Sequence, residues 1–138
     1  MVNFIKLNHP QACFPNLIHP NASFHNESTI NLGEGNIICD GVIMTTNITI
    51  GNFNLFNLSS TFGHDASIAD FCSIMPGVNI SGGASVENRV YVGTGAKLIK
   101  ATTLHSDSTA GAGAVVTTDI PQGETWGGIP AKNLHLEG

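Results

Sequence analysis

At 138 residues and a formal net charge of −5, the chain is long enough for one domain with a real core, and its five Lys and Arg form no cluster, which argues against nucleic acid as a partner. Charged residues make up 11% and aromatics 7% of the chain, while Gly numbers 16, a composition of tight turns between short strands rather than of a helical bundle. No apolar run approaches the ~20 residues of a membrane span, and the start MVNFIKLNHP has no secretory apolar core, so neither membrane nor export is expected and the predicted location is the cytoplasm.

Residues 1–17 carry Pro10 and Pro15 and no period. They read as an N-terminal extension or the remnant of something longer. A first set of apolar residues then appears six apart, Ile18, Phe24 and Ile30, followed by a step of eight to Ile38 with Gly33 and Gly35 in the gap. The spacing predicts a turn insertion there, between an opening coil and a strict stretch, since irregular terminal repeats are expected where a solenoid caps its end.

From Ile38 an apolar residue returns at every sixth position: Ile38, Met44, Ile50, Phe56, Phe62, Ile68, Ile74, Ile80, Val86, Val92, Leu98, Leu104, Ala110 and Val116. Four places after each sits a residue that is usually small or β-branched, from Val42 to Ile120. A period of six is not helical. It fits a short strand plus a turn, and such units stack into a parallel β-helix because none can bury its large residue alone. With three units to a triangular coil, residues three repeats apart stack at about 4.8 Å, the spacing of paired strands. The strict stretch then makes between four and five coils. Its inward residues sort into face one (Ile38, Phe56, Ile74, Val92, Ala110), face two (Met44, Phe62, Ile80, Leu98, Val116) and face three (Ile50, Ile68, Val86, Leu104).

Ile37, Ile43, Leu55 and Val115 occupy outward positions where a solvated prism should be polar, which predicts burial against other subunits. The three cysteines lack CxxC spacing, and Cys72 falls at a small inward position, as a buried hydrophobe. The β-helix is expected over residues 18–120. Residues 121–138 form a tail: Pro121 and Pro130 cannot join a central strand, so it should leave the prism and lie across its end or side, with Trp126 as a cap over the last coil.

The most informative string is FNLFNLSSTFGHDASIADFCSIMPGVNISGGASV. His64 sits at an outward turn position with a carboxylate, Asp65, beside it, and Gly82 follows three repeats later, one coil above the imidazole. An imidazole can take a proton from an amine or hydroxyl near neutral pH, and a bare glycine N–H can stabilise an oxyanion. These are the parts of an acyl-transfer site. Asn57 is a candidate to hold the acceptor. Pro76, Thr94 and Ala112, each three repeats from the next, form a second column lined by Gly and small residues. It suits an extended ligand with amides, such as the pantetheine arm of coenzyme A. Lys97, Lys100 and Lys132 are the nearby positive charges for its phosphates.

The strings SSTFGHDASIADF, IMPGVNISGG, YVGTGAKLI, AGAGAVVTTDIP and GGIPAK, within a match from about Leu17 to Lys132, resemble the left-handed parallel β-helix acyltransferases with hexapeptide repeats. The branch they most resemble is that of sialic acid O-acetyltransferases and UDP-4-amino-sugar N-acetyltransferases. The resemblance implies an all-β, left-handed helix, a homotrimer with acetyl-CoA between adjacent prisms, and acetyl transfer to an amino or hydroxyl group of a nucleotide-linked sugar. His64 would be the general base and Asp65 the residue that makes it more basic. Ser73 would stand where some members carry a second His near the thioester carbonyl, Gly82 would contact that carbonyl, and Thr94 and Ala112 would line the pantetheine path. Many members carry a nucleotide-binding domain before the β-helix. Sixteen residues precede Leu17 here, which implies either a fragment or a substrate that needs no such grip. Two other classes share the architecture. A γ-carbonic-anhydrase-like enzyme needs three converging histidines, whereas the spacing of His64 and His105 puts them on different faces, so no metal is expected. A non-catalytic ice-binding or scaffold helix would want Thr pairs in one column, and Thr45-Thr46 and Thr102-Thr103 are not.

Overall fold

All fourteen large residues of the six-residue series lie inside the structure, none more than 3% exposed, and the smaller residues four places on are buried beside them. The structure is a computed structural model and describes residues 1–135. Each repeat makes a two-residue strand whose second side chain points inward, then a turn. Strands three repeats apart pair in parallel, Ile38 with Phe56 on face one, Met44 with Phe62 on face two and Ile50 with Ile68 on face three. The three sheets contain eight, six and five strands. Together they form a solenoid of about six turns, consistent with a left-handed parallel β-helix. Coil one starts at Leu17, coil two at Ile37, coil three at Leu55, coil four at Ser73, coil five at Tyr91 and coil six at Thr109. The first corner joins faces one and two, the second joins two and three, and the third joins three and one.

In coils two to five each corner turns through one residue with left-handed backbone, and these residues stack in columns. On the third corner Gly35 is followed by Phe53, Phe71, Arg89 and Asp107. A non-glycine residue there costs free energy, and contacts between coils offset it. The Phe53 and Phe71 rings stack at 5.4 Å with 9° between planes, and Arg89 holds Asp107 through two bonds of 2.6 and 2.9 Å. Buried amides are matched in the same way: the Asn36 side-chain Oδ1 accepts from the backbone and side-chain N–H groups of Asn54, one coil above.

The insertion lies one repeat earlier than the spacing predicted. Leu32, not Ile30, pairs with Ile50 at the base of face three, so the eight-residue step runs from Phe24 to Leu32 and is filled by a 3-10 turn, Glu27–Thr29. Pairing register decides this: Leu32 stands three full repeats before Ile50, and Ile30 packs from the insertion against the core's lower edge. The tail also differs from expectation. Thr125–Gly127 does not leave the prism but adds a parallel strand to face one, with Trp126 opposite Ala110 after a coil slightly shorter than the others. Trp126 packs against the core, its indole N–H donating to Glu124 at 2.7 Å, and Lys132–Asn133 turns back antiparallel to close the end. In the N-terminal segment, Val2–Asn8 is a helix, tied down where Lys6 pairs with Glu34 and lies 5.4 Å from the centre of the Phe53 ring.

The outward residues separate by face. Face one presents Leu17, Ile37, Leu55 and Tyr91 among its strands, and face two presents Ile43 and Val115. Face three presents Asn31, Thr49, Ser67, Ser85 and Thr103, small polar groups suited to water. Among the described residues, no helix is long and apolar enough to cross a membrane.

Candidate active site

Thr61–Phe62 delivers the chain to the second corner, where Gly63 and His64 begin the turn and Asp65 takes the left-handed position at φ 59°. Aspartate tolerates that conformation better than most residues. The result is a short bond between neighbours, 2.7 Å from His64 Nδ1 to an Asp65 carboxylate oxygen. A carboxylate can only accept, so Nδ1 carries the proton and Nε2 keeps its lone pair. The hydrogen bond from His64 first, and one from Asn47 second, hold the Asp65 carboxyl below its ordinary range, so it is ionised throughout the neutral region.

Gly82 lies against the imidazole, as the three-repeat spacing predicts. A Cβ at position 82 would stand 2.6 Å from Nε2 and under 3 Å from two ring carbons. Only a residue without a side chain leaves the ring there. The Gly83 N–H donates to the His64 carbonyl at 2.8 Å, which locks the two turns together, while the Gly82 N–H donates to no protein group among the described residues. Gly63 is constrained too, because a Cβ on it would meet the Gly82 nitrogen at 2.5 Å. Asn47 beside Asp65, and Gly63, lie outside the residues that the sequence singles out. The coil register holds the signal for Asn47, which lies one coil beneath Asp65.

The other candidates occupy different parts of the prism. Thr94 and Ala112 are exposed on the first corner, above Pro76. The next N–H in each turn is engaged, Gly95 donating to the Pro76 carbonyl and Gly113 to that of Thr94, whereas the N–H groups of Thr94 and Ala112 have no protein acceptor among the described residues. A column of unpaired N–H groups along an open edge can pair with the amides of an extended ligand. Asn57 belongs to this corner as well, its side-chain oxygen accepting from the Leu58 N–H at 2.8 Å. Ser73 points outward from face one. Within one chain, His64 and Gly82 are therefore together, Asn57, Thr94 and Ala112 are together, and face two separates the groups.

His105 sits on the third corner with Nδ1 3.0 Å from Glu87, whose other oxygen accepts from Ser106. His64 and His105 thus stand on different corners, and no group of three or more His, Cys, Asp or Glu among the described residues is arranged to hold a metal ion.

No family model matches the chain. It is 33% identical over 122 residues to GDP-perosamine N-acetyltransferase of Escherichia coli O157:H7, covering 84% of this chain and 54% of that enzyme. It is 30% identical over 121 residues to a mitochondrial γ-carbonic anhydrase of Arabidopsis thaliana, covering 77% of this chain and 43% of that protein. Among solved structures, a mutant perosamine N-acetyltransferase from Caulobacter crescentus, in complex with CoA and GDP-perosamine, superposes with a TM-score of 0.89 at 30% identity, covering 96% of this chain and 62% of that one. The chain thus spans about half the length of the relatives it matches. The repeat, the fold and the similarity agree: over most of its length the chain is similar to hexapeptide-repeat acetyltransferases.

Proposed function

We propose that this chain forms an acetyl-CoA-dependent acetyltransferase that acts on an amino group of a nucleotide-linked sugar. One observation carries the reading: His64 is held by Asp65 in the tautomer with a free Nε2, at a turn where Gly82 offers an unpaired N–H. The acceptor nitrogen would attack the thioester carbonyl while Nε2 takes its proton. The Gly82 N–H would stabilise the tetrahedral oxyanion. As the C–S bond breaks, the imidazolium would return the proton to the thiolate sulfur.

The placement of the two groups supports a homotrimer. A threefold axis parallel to the prism sets the first corner of one chain against the second corner of the next, and rotation about such an axis preserves height. His64 of one chain would then face Asn57, Thr94 and Ala112 of another, with Ser73 on the adjoining face. The apolar outward residues of faces one and two support this arrangement, and the polar face three would remain in water. Lys97, Lys100 and Lys132, toward the upper end of the prism, are the charges suited to the coenzyme's phosphates. The cytoplasm, where acetyl-CoA and nucleotide sugars are available, is the location this reading favours.

The test is steady-state acetyl transfer from acetyl-CoA to a panel of nucleotide-linked amino sugars by the parent and by His64→Ala. Removing a general base is expected to lower kcat by roughly 10²–10⁴-fold. Near-parental turnover in the variant would end this mechanism.

A further inference from the structure

We infer that Thr29 is a positioning residue for the His64–Asp65 pair: the insertion in the opening coil brings its hydroxyl beneath them, as the base of a hydrogen-bond ladder that runs through both. The inference rests on the acetyltransferase reading above and adds to it a residue with no contact to coenzyme or acceptor.

The ladder is built into the second corner. Asn47, Asp65, Gly83 and Ala101 take the left-handed position there in successive coils, at φ 54°, 59°, 69° and 58°. The N–H of each of the upper three donates to a carbonyl one coil below: Ala101 to Gly82 at 3.1 Å, Gly83 to His64 at 2.8 Å and Asp65 to Thr46 at 3.1 Å. Both members of the pair are therefore rungs. His64 is held from above through its carbonyl, and Asp65 from below through its N–H.

The same spacing would next send the Asn47 N–H to the carbonyl of Ser28. It does not go there. Between strands Ser23–Phe24 and Asn31–Leu32 the corner has six residues, 25–30, where the coil above has four, 45–48, so the backbone beneath Asn47 no longer follows the repeat. The Thr29 hydroxyl takes the place of the carbonyl and accepts from the Asn47 N–H at 2.9 Å.

A hydroxyl has one proton to give and two lone pairs. The Thr29 proton goes to the Asn26 carbonyl at 2.9 Å, so its oxygen accepts from the Asn47 N–H and from the Thr46 hydroxyl, 3.0 Å away. Thr46 accepts in turn from the Asn26 side-chain amide at 3.3 Å, and the Asn26 N–H donates to the Thr45 carbonyl at 3.1 Å. The full capacity of the Thr29 hydroxyl is used, and the insertion grips the turn at Thr45, Thr46 and Asn47. That turn supplies the Thr46 carbonyl under Asp65. It also carries the Asn47 side chain, whose hydrogen bond helps to hold the Asp65 carboxyl below its ordinary range. Thr29 thus acts on the backbone and the carboxylate of Asp65 through one turn.

Thr29→Val keeps the shape of the side chain and removes the hydroxyl, leaving the Asn47 N–H without its acceptor. A shift of the pair short of the 1 Å that costs about 10²-fold is expected to lower kcat about tenfold, with the KM for acetyl-CoA unchanged. Thr29→Ser keeps the oxygen and should retain the parental kcat. Asn47→Gly tests the same link from the other side, because glycine keeps the left-handed backbone and lacks the amide. NMR titration of the Asp65 carboxyl carbon gives a readout independent of turnover. Its midpoint should rise toward the ordinary aspartate value in Thr29→Val and Asn47→Gly and stay parental in Thr29→Ser, with Asp107 on the third corner unmoved in all three. Parental kcat in Thr29→Val, an equal loss in Thr29→Ser, or an Asp65 midpoint that does not move would overturn the assignment. Should Thr29→Val fail to fold, parental kcat and midpoint in Asn47→Gly would overturn it. Failure of the broader reading is distinct: the parent would transfer no acetyl group to any amino-sugar nucleotide, and the Asp65 titration would still decide the role of Thr29.

Discussion

Gly82→Ala should separate catalysis from folding. The added methyl carbon would stand 2.6, 2.8 and 2.9 Å from Nε2, Cε1 and Cδ2 of His64, against the ~3.5–4.0 Å of a relaxed contact between carbon atoms. The ring must retreat by about 1 Å, and a shift of that size at a reacting group costs about 10²-fold, or roughly 2.7 kcal/mol of transition-state stabilisation. The retreat itself is easy, because the His64 side chain is 59% exposed. The backbone at position 82 is not left-handed, so alanine fits it and Tm should move by no more than a few degrees. Gly63→Ala is the contrast. There the methyl meets the backbone nitrogen of Gly82 at 2.5 Å, which cannot swing away, and stability should fall by ~1–3 kcal/mol. Thiol release from acetyl-CoA in the presence of an amino-sugar nucleotide gives kcat, and thermal melting gives stability. A Gly82→Ala enzyme within about threefold of the parent in kcat would refute the reasoning. So would one whose activity and Tm fall together as in Gly63→Ala.

Two further outcomes follow from the titrating groups. Asp107 is held below its ordinary range chiefly by its hydrogen bond from Arg89, and Glu87 chiefly by the backbone N–H of Ser106. A carboxyl with a depressed folded-state value adds stability above its unfolded value, ~3.9 for Asp and ~4.3 for Glu, and that stability is lost as pH falls through the lower folded value. Melting curves of Asp107→Asn and Glu87→Gln should therefore lie below the parent at pH 7 and converge with it in acid, and a constant gap down to pH 2 would contradict this. Burial pushes the Cys72 thiol up to about 11, so in the folded protein at pH 8 iodoacetamide should modify exposed Cys13 and leave Cys72 until the chain unfolds. Rapid native labelling of Cys72 would show that its coil opens.

The repeat is legible because one large residue per six must be buried, and burial is what the spacing reports. It fails where that rule has two solutions. Ile30 continues the spacing of Ile18 and Phe24, but Leu32 is the residue that pairs with Ile50, and backbone pairing outranks forward spacing. Counting backward by one coil from Ile50 finds it. The tail departs from expectation for a related reason: proline rules out Pro121 and Pro130 as strand residues but says nothing of Thr125–Gly127 between them. At the candidate site, stacking arithmetic places Gly82 on His64 because both are turn residues at one register. The same register puts Asn57 on the face preceding that of His64, and the structure has it there, across face two. It gives no warning that Asp65 has a left-handed backbone, because that depends on how the turn closes and not on spacing.

The structure of the protein bound to coenzyme A is the most direct measurement. The expected result is a ligand lying between two chains, its pantetheine amides against the N–H groups of Thr94 and Ala112 of one and its sulfur beside Nε2 of His64 of the other. Coenzyme A bound to a single chain away from His64, or on the polar third face, would contradict the proposed site.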